Sequence, residues 1–302
     1  MKDFEYCTPQ TLRQAVALLA EKGNKARALA GGTDLIVQLR GKRFDLDRVV
    51  DIKHISELNE LSFSARKGLV IGAAVPCWKL YNDAEVIERY PGLIDSASII
   101  GGIQIQGRAT FGGNLCNASP SADSTPSLIA YGAVCNIIGP DGKRSITVED
   151  FCVAPGKSAL AAGELLVSIQ VPANKKNQGS HYQRFIPRNE MDIAVVGVGS
   201  WVELANRGKE FKQVRIALAA VGPTPIFARA AGDALVGQAV GDEAIAAAAE
   251  AAKEVATPIS DMRGPAEFRT HLVGVLVKRT LEGAIARAKG QFVANAVQEA
   301  AG

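Results

Sequence analysis

The sequence has no long apolar run, no basic stripe and no clustered cysteines, and each absence excludes a class of protein. Without about 18 consecutive apolar residues it has no candidate transmembrane segment. Residues 1–6 are followed by no apolar core of a signal peptide, so a cytoplasmic location is predicted. The 34 basic and 31 acidic residues are interspersed, and a net charge of +3 without a basic patch predicts no nucleic-acid partner.

Cysteine and histidine are too scattered to indicate a metal or a disulfide framework. The three histidines are far apart, and no CxxC or HExxH spacing occurs. The sequence therefore predicts no metal and no catalytic nucleophile on this chain. The five cysteines are predicted to be structural thiols: Cys7, Cys77, Cys116, Cys135 and Cys152.

Glycine, in contrast, is abundant. The chain has 30 glycines in 302 residues, more than the roughly 7% that is usual. Hydrophobic residues make up 47% and charged residues 22%, which is typical of a globular protein and excludes a disordered chain. Since no collagen-like period is present, the glycines indicate turns and close approaches of the backbone.

The first part of the chain, up to residue 175, is predicted as one domain that begins with a small α/β unit of about 60 residues. In this unit a helix capped by Thr8 and ended by Gly23 precedes a strand, a Gly-Gly turn, a short helix and a strand. Farther along, residues 78–90 are predicted as one helix, and 134–148 as a β-hairpin.

The polar, glycine-containing residues 175–179 predict a domain boundary. Three strand patterns and then three helix patterns follow, the last over residues 266–288. Strands followed by helices predict an α+β layer in which helices cover one face of the sheet. The second domain is thus expected at 179–290, followed by a tail at 291–302.

Two similar glycine turns carry the strongest chemical signal. Each combines two adjacent glycines with a hydroxyl residue, and glycine lets backbone N–H groups approach an anion. Neither fits the Walker A or GxGxxG pattern. One such turn alone is typical of an ordinary tight turn, whereas two favour a pyrophosphate. The candidate residues are Ala28, Leu29, Ala30, Gly31, Gly32, Thr33, Asp34 and Leu35 in the first turn, and Thr110, Phe111, Gly112, Gly113 and Asn114 in the second.

Asp123 follows the second turn, and its spacing fits two interpretations. Its carboxylate could cap a helix that starts near Thr125 and Pro126. It could equally accept hydrogen bonds from the hydroxyls of a bound ribose or other sugar. The residues alone leave both open.

Several segments together resemble the flavin-binding subunit of molybdenum hydroxylases, a group that includes the medium subunit of aerobic carbon monoxide dehydrogenases and the FAD domain of xanthine dehydrogenase. They are AGGTDL at 30–35, TFGGNLCNASPSAD at 110–123, ELLVSIQVP at 164–172, DIA at 192–194, SDMRG at 260–264 and FR at 268–269. The resemblance implies a vanillyl-alcohol-oxidase-type FAD-binding domain at 1–175, made of two small α+β lobes at about 1–57 and 58–175. A C-terminal domain with a small antiparallel sheet packed on helices would follow it.

The resemblance also implies which residues bind FAD. Residues 28–35 and 110–114 would hold the pyrophosphate, and Asp123 would touch the ribityl or ribose part. Ile100 and Leu166 would lie against the flavin. Arg184 would lie near the isoalloxazine ring, where a cation favours negative charge on the reduced ring; alternatively, it is a charge on the surface of a strand.

The function that the resemblance implies is electron transfer within a larger complex. Electrons would pass from a large molybdopterin-binding subunit, through a small [2Fe–2S] subunit, to FAD on this chain and then to an external acceptor. The expected assembly is a dimer of heterotrimers. Thr33 and Asp34 stand where some carbon monoxide dehydrogenases have a His-Ser pair, so carbon monoxide is not the expected substrate.

Two other functions stay open at this point. One is a self-sufficient FAD-dependent oxidase or dehydrogenase, which often tethers its flavin through His or Cys. No His adjoins either glycine turn, and only Cys116 is close to the second. The other is a scaffold subunit that has kept the fold and lost the cofactor, an interpretation that the two intact turns disfavour.

Overall fold

The first lobe is a small parallel sheet with one long helix. The computed structural model describes residues 2–188 and 191–294, so residues 295–302 of the predicted tail lie outside the described residues. The strand order is β1-β3-β2, and both pairings are parallel. The elements are β1 (Glu5–Cys7), α1 (Leu12–Lys22), β2 (Ala26–Leu29), α2 (Leu35–Arg40) and β3 (Arg48–Asp51).

Helix α1 begins three residues later than predicted. Thr11 has an extended backbone, and its hydroxyl accepts a hydrogen bond from the N–H of Gln14, so Thr11 rather than Thr8 is the N-cap. The prediction that Gly23 ends this helix is confirmed, since Gly23 is its C-cap.

The second lobe is a five-stranded antiparallel sheet with the order β4-β5-β10-β6-β7. Six short helices connect β5 to β6, and β8 and β9 form a separate small ladder. The hairpin predicted at 134–148 is confirmed as β6 and β7. The elements are β4 (Leu61–Ser64), β5 (Gly68–Gly72), α3 (Cys77–Tyr81), α4 (Ala84–Arg89), α5 (Pro91–Ala97), α6 (Ile103–Gln106), α7 (Phe111–Asn117), α8 (Ser124–Ala130), β6 (Val134–Gly139), β7 (Gly142–Thr147), β8 (Cys152–Ala154), β9 (Lys157–Ser158) and β10 (Leu165–Val171).

The single helix predicted over 78–90 is wrong. Asp83 has an extended backbone, and its carboxylate accepts hydrogen bonds from the N–H groups of Glu85 and Val86. A cap of this kind starts a new helix, so two short helices, α3 and α4, occupy the segment.

The C-terminal region is a four-stranded antiparallel sheet followed by three helices. Strands run in the order β11-β12-β13-β14, α11 packs on β11 and β12, and α10 packs on α11. This arrangement confirms the predicted α+β class and small antiparallel sheet. The elements are β11 (Gln178–Phe185), β12 (Val196–Ala205), β13 (Glu210–Ala219), β14 (Ile226–Phe227), α9 (Arg229–Asp233), α10 (Asp242–Glu254) and α11 (Ala266–Ala288).

Helices cover both faces of this sheet, not one as predicted. Helices α5 and α8 of the second lobe pack on the face opposite α11, and β12 is buried along nearly its whole length. A Cβ at Gly199 would lie 2.8 Å from the backbone of Pro126 in α8, so glycine permits this contact. None of the helices in the described ranges has the length and hydropathy needed to cross a bilayer.

Candidate functional site

A cavity of about 640 Å³ is lined by both lobes and by the first strand of the C-terminal sheet. Its volume lies within the range of small-molecule sites, roughly 300–1,000 Å³. Phe111 is the one predicted site residue that does not line it, because its side chain is buried in the core. The predicted residues that line the cavity are Ala28, Leu29, Ala30, Gly31, Gly32, Thr33, Asp34, Leu35, Ile100, Thr110, Gly112, Gly113, Asn114, Asp123, Leu166 and Arg184.

The first glycine turn joins β2 to α2 and presents backbone donors to the cavity. Gly32 has a φ of +80°, a conformation that glycine adopts at low cost. A Cβ at Gly31 would lie 2.0 Å from the carbonyl oxygen of Arg108, so this glycine permits a close backbone contact. Within residues 2–188 and 191–294, the N–H groups of Gly32, Thr33 and Asp34 have no acceptor. They are therefore available to an anion.

The second glycine turn begins α7, and the hydroxyl of Thr110 caps this helix. The Thr110 hydroxyl accepts a hydrogen bond of 2.8 Å from the N–H of Gly113, as an N-cap does. A Cβ at Gly112 would lie 2.4 Å from the carbonyl oxygen of Ala73, so Gly112 also permits close packing. The antiparallel bridge between Pro76 and Thr110 pairs the N–H of Phe111 with the carbonyl of Val75. Among the described residues, the N–H of Gly112 has no acceptor, so this N–H, rather than the Thr110 hydroxyl, is the donor left for a ligand.

Gly113 and Asn114 complete this part of the cavity. A Cβ at Gly113 would have Thr110 Oγ1 as its nearest neighbour, at 3.0 Å, so a larger side chain here would extend into the cavity rather than into the protein. The side-chain oxygen of Asn114 accepts hydrogen bonds from the N–H and hydroxyl of Ser124, the latter at 2.6 Å. That bonding leaves the amide NH₂ of Asn114 as a donor.

A hydrogen bond that the sequence did not reveal joins the two turns. Gln38 on α2 donates to the side-chain oxygen of Asn117 on α7 at 2.8 Å, and both residues line the cavity. The two residues are 79 positions apart, and no local motif connects them.

The lining of the cavity combines apolar and polar groups. Ile100, Ile105 and Ile193 contribute apolar side chains, and Met191 donates its N–H to the carbonyl of Gly101 at 3.2 Å. Other lining residues come from the first lobe, from β9 and from the segment before β10: Leu19, Asn24, Lys157, Ser158 and Leu160. The glycine turns contribute polar backbone groups. The cavity thus suits a ligand with both an apolar and an anionic part.

Asp123 bonds to two side chains of β11. One carboxylate oxygen accepts a 2.6 Å hydrogen bond from Arg184, and the other accepts a 2.8 Å hydrogen bond from the Tyr182 hydroxyl. Asp123 precedes α8 but makes no side-chain cap bond, so the capping interpretation is wrong. The Arg184 side chain is only 6% exposed, so its interpretation as a charge on a strand surface is wrong as well.

The burial of this group affects its protonation. Burial raises the pKa of the Asp123 carboxyl to about 6, and the Arg184 charge and the Tyr182 hydrogen bond oppose a further rise. Burial and the neighbouring Asp123 raise the pKa of Tyr182 well above its usual value. Tyr182 therefore stays protonated and donates to the carboxylate. The sequence analysis missed Tyr182, although alternation places it on the same face of β11 as Arg184.

Cys116 lines the cavity near the second turn, but its thiol is unreactive. Burial raises the pKa of the Cys116 thiol to about 12, and the thiolate, not the thiol, is the nucleophile. In the part of the chain that the structure describes, no group of three His, Cys, Asp or Glu residues could hold a metal ion.

The donor set fits FAD. Unpaired backbone N–H groups on both glycine turns suit a pyrophosphate, and the apolar lining residues together with Arg184 suit a flat ring that gains negative charge on reduction. The close backbone contacts of Gly31 and Gly112 bring these donors to one cavity.

Two family models match the chain over nearly its whole length. Residues 2–174 match the FAD binding domain in molybdopterin dehydrogenase, and residues 181–284 match the CO dehydrogenase flavoprotein C-terminal domain.

Curated relatives are similar over their full length. The chain is 33% identical to the xanthine dehydrogenase FAD-binding subunit of Escherichia coli O157:H7, covering 97% of this chain and 100% of that one. It is also 33% identical to the carbon monoxide dehydrogenase medium chain of Hydrogenophaga pseudoflava, covering 94% and 98%.

Solved structures share the fold. A chain of the carbon monoxide dehydrogenase from Hydrogenophaga pseudoflava has a TM-score of 0.90 at 33% identity, covering 95% of this chain and 98% of that chain. A chain of quinoline 2-oxidoreductase from Pseudomonas putida 86 has a TM-score of 0.87 at 30% identity, covering 96% and 100%.

Proposed function

Since the chain belongs to the FAD-binding subunits of the molybdopterin dehydrogenase family, we propose that it is the electron-transfer subunit of a molybdenum hydroxylase complex. In this function it receives electrons from the [2Fe–2S] clusters of a partner subunit and passes them to an external acceptor. Bound FAD supplies the redox chemistry, because it can exchange electrons singly and in pairs. The residues of this chain bind the cofactor and tune the charge around it.

One observation carries this proposal: both glycine turns offer unpaired N–H groups to the same cavity. The N–H groups of Gly32 and Thr33 in the first turn and of Gly112 in the second would donate to the pyrophosphate. Ile100 and Leu166, which both line the cavity, would flank the ring. The remaining residues at 28–35 and 110–114 would form the walls, with Asp123 and Arg184 near the ring and the ribityl chain.

The proposal includes partners. The relatives are named as a medium chain and an FAD-binding subunit, which supports a large molybdopterin-binding subunit and a small [2Fe–2S] subunit as partners. A dimer of heterotrimers in the cytoplasm is the assembly proposed here. Within the chain, an FAD-binding domain at 1–175, with lobes at about 1–57 and 58–175, and a C-terminal domain at 179–290 are proposed as the units.

The protonated thiol of Cys116 disfavours a self-sufficient oxidase with flavin tethered at this position. A thiol whose pKa is raised to about 12 supplies too little thiolate near neutral pH for covalent attachment. The unpaired donors of both turns likewise disfavour a cofactor-free scaffold, because they give one cavity two sets of backbone N–H groups suited to an anion.

Substitution of Gly113 tests the site. In Gly113→Leu the side chain extends into the cavity, and we expect FAD affinity to fall at least tenfold, or about 1.4 kcal/mol. The measurement is FAD bound per chain after gel filtration, with the affinity determined by fluorescence titration.

Gly107→Leu is the matched control, because Gly107 is exposed and its Cβ would be 3.9 Å from its nearest neighbour, Trp78. The control should keep its FAD. Equal FAD binding by both variants and the unsubstituted chain would contradict the proposed position of the pyrophosphate.

A further inference from the structure

Tyr182 lies behind the wall of the cavity, and its hydroxyl bonds to Asp123, which is part of that wall. It does not line the cavity, whereas Asp123 and Arg184 do. The Tyr182 side chain is buried, and its hydroxyl donates to the Asp123 oxygen that Arg184 does not use. Asp123 is thus bonded to two side chains of β11, of which Arg184 lines the cavity and Tyr182 does not.

The surrounding sheet leaves room for this phenol. Gly197 on β12 lies beside it, and a Cβ at Gly197 would come 2.8 Å from the Tyr182 hydroxyl oxygen. The N–H of Tyr182 donates to the carboxylate of Asp95 on α5 at 3.1 Å, which fixes the backbone of β11 at this point. Contact with Gly197 therefore places the Tyr182 hydroxyl, and the bond to Asp95 holds the backbone that carries the side chain.

The charge at the cavity depends on the state of Asp123. While the carboxylate is ionised, it compensates the Arg184 guanidinium, and the pair is close to neutral. If the carboxylate takes up a proton, the guanidinium charge is left uncompensated beside the cavity. A buried carboxylate that loses a hydrogen-bond donor becomes easier to protonate.

We propose that Tyr182 is a positioning residue of the flavin site, which keeps Asp123 ionised and turned toward Arg184 and so lowers the redox potential of the bound flavin. This inference rests on the proposed FAD site. The raised pKa of Asp123, about 6, is consistent with it, because a further rise brings protonation into the neutral range.

Tyr182→Phe removes the hydroxyl and keeps the ring. In the FAD-loaded full-length chain near pH 7, we expect the FAD dissociation constant to change by less than about tenfold and the flavin midpoint potential to shift positive. The reason is that an uncompensated cation stabilises negative charge on the reduced ring. Spectroelectrochemical titration measures the potential, and fluorescence titration measures the dissociation constant.

Tyr131→Phe is the matched control. Tyr131 is also buried, its hydroxyl bonds to Ser180 at the contact between α8 and β11, and it does not line the cavity. Its loss should lower the melting temperature without shifting the potential.

A double-substitution cycle with Asp123→Asn tests the route of the effect. Asp123→Asn should also shift the potential positive, and adding Tyr182→Phe should shift it no further, because Tyr182 acts through the carboxylate. The inference would be overturned by an unchanged potential in Tyr182→Phe or by release of FAD from that variant. It would also be overturned by an equal shift of the potential in Tyr131→Phe, or by additive shifts in the double variant. Failure of the unsubstituted chain to bind FAD would instead overturn the proposed function, and the inference with it.

Discussion

Asp95 and Arg287 form a buried ion pair that joins the second lobe to the C-terminal region, and it is more enclosed than the pair of Asp123 and Arg184. Two hydrogen bonds, of 2.6 and 2.9 Å, connect the guanidinium of Arg287 on α11 to the carboxylate of Asp95 on α5. The Asp95 side chain is 1% exposed and that of Arg287 is 7% exposed. Removal of either partner would leave the other charge buried without compensation.

Asp95→Ala should therefore destabilise the chain by about 3–5 kcal/mol, the usual cost of breaking a buried ion pair. Urea unfolding followed by circular dichroism measures the loss. Glu85→Ala is the control, because its pair with Arg89 is on the surface and such pairs contribute about 0–1 kcal/mol. A loss below about 1 kcal/mol in Asp95→Ala would contradict a stabilising role for this contact.

Residue patterns predicted the local chemistry of the site but not its long-range pairs. The glycine doublets and the following Asp123 were recognisable because they lie in short motifs. The bonds of Asp123 to Tyr182 and Arg184 connect residues about 60 positions apart, and only the packed sheet brings them together. Strand alternation could have singled out Tyr182 once Arg184 was suspected.

Helix α11 approaches the C-terminal sheet closely, and two glycines permit this approach. A Cβ at Gly179 on β11 would lie 2.2 Å from the carbonyl oxygen of Ala284, and a Cβ at Gly283 would lie 2.0 Å from a ring nitrogen of His181. Any side chain at Gly179 must push α11 away from the sheet.

Gly179→Ala should consequently destabilise the chain by about 1–3 kcal/mol through overpacking. Gly274→Ala is the control. Gly274 lies on α11, and its Cβ would meet only the flexible side chain of Lys253 at 3.3 Å. That variant should be neutral or up to about 1 kcal/mol more stable, because alanine favours helix. Thermal melts of both variants give the comparison, and equal melting temperatures would refute the packing argument.

Elements marked by turn residues or by a long helical pattern were predicted well. Elements whose bounds depend on a single capping residue, or whose packing depends on distant helices, were not. The hairpin of β6 and β7 follows from its turn residues, and α11 follows from a long helical pattern with the predicted bounds. The division of 78–90 into α3 and α4 depends on one capping carboxylate, Asp83. The covering of both sheet faces depends on α5 and α8, which belong to the second lobe and pack on the sheet only in the folded chain, so no local pattern reveals it.

At the scale of the whole molecule, the cavity is formed by three regions that are distant in sequence. The first lobe supplies one glycine turn, the second lobe supplies the other, and β11 supplies Arg184. Asp123 therefore connects the wall of the cavity to the C-terminal sheet, through its bonds to Tyr182 and Arg184.

The central claim is that this chain transfers electrons as the FAD subunit of a larger complex. Affinity purification of the full chain from its own host, with analysis of flavin, molybdenum and iron in the eluate, tests it most directly. We predict FAD equimolar with this chain, together with molybdenum and iron on co-eluting larger and smaller subunits. A chain that elutes alone, without flavin, molybdenum or iron, would contradict the account.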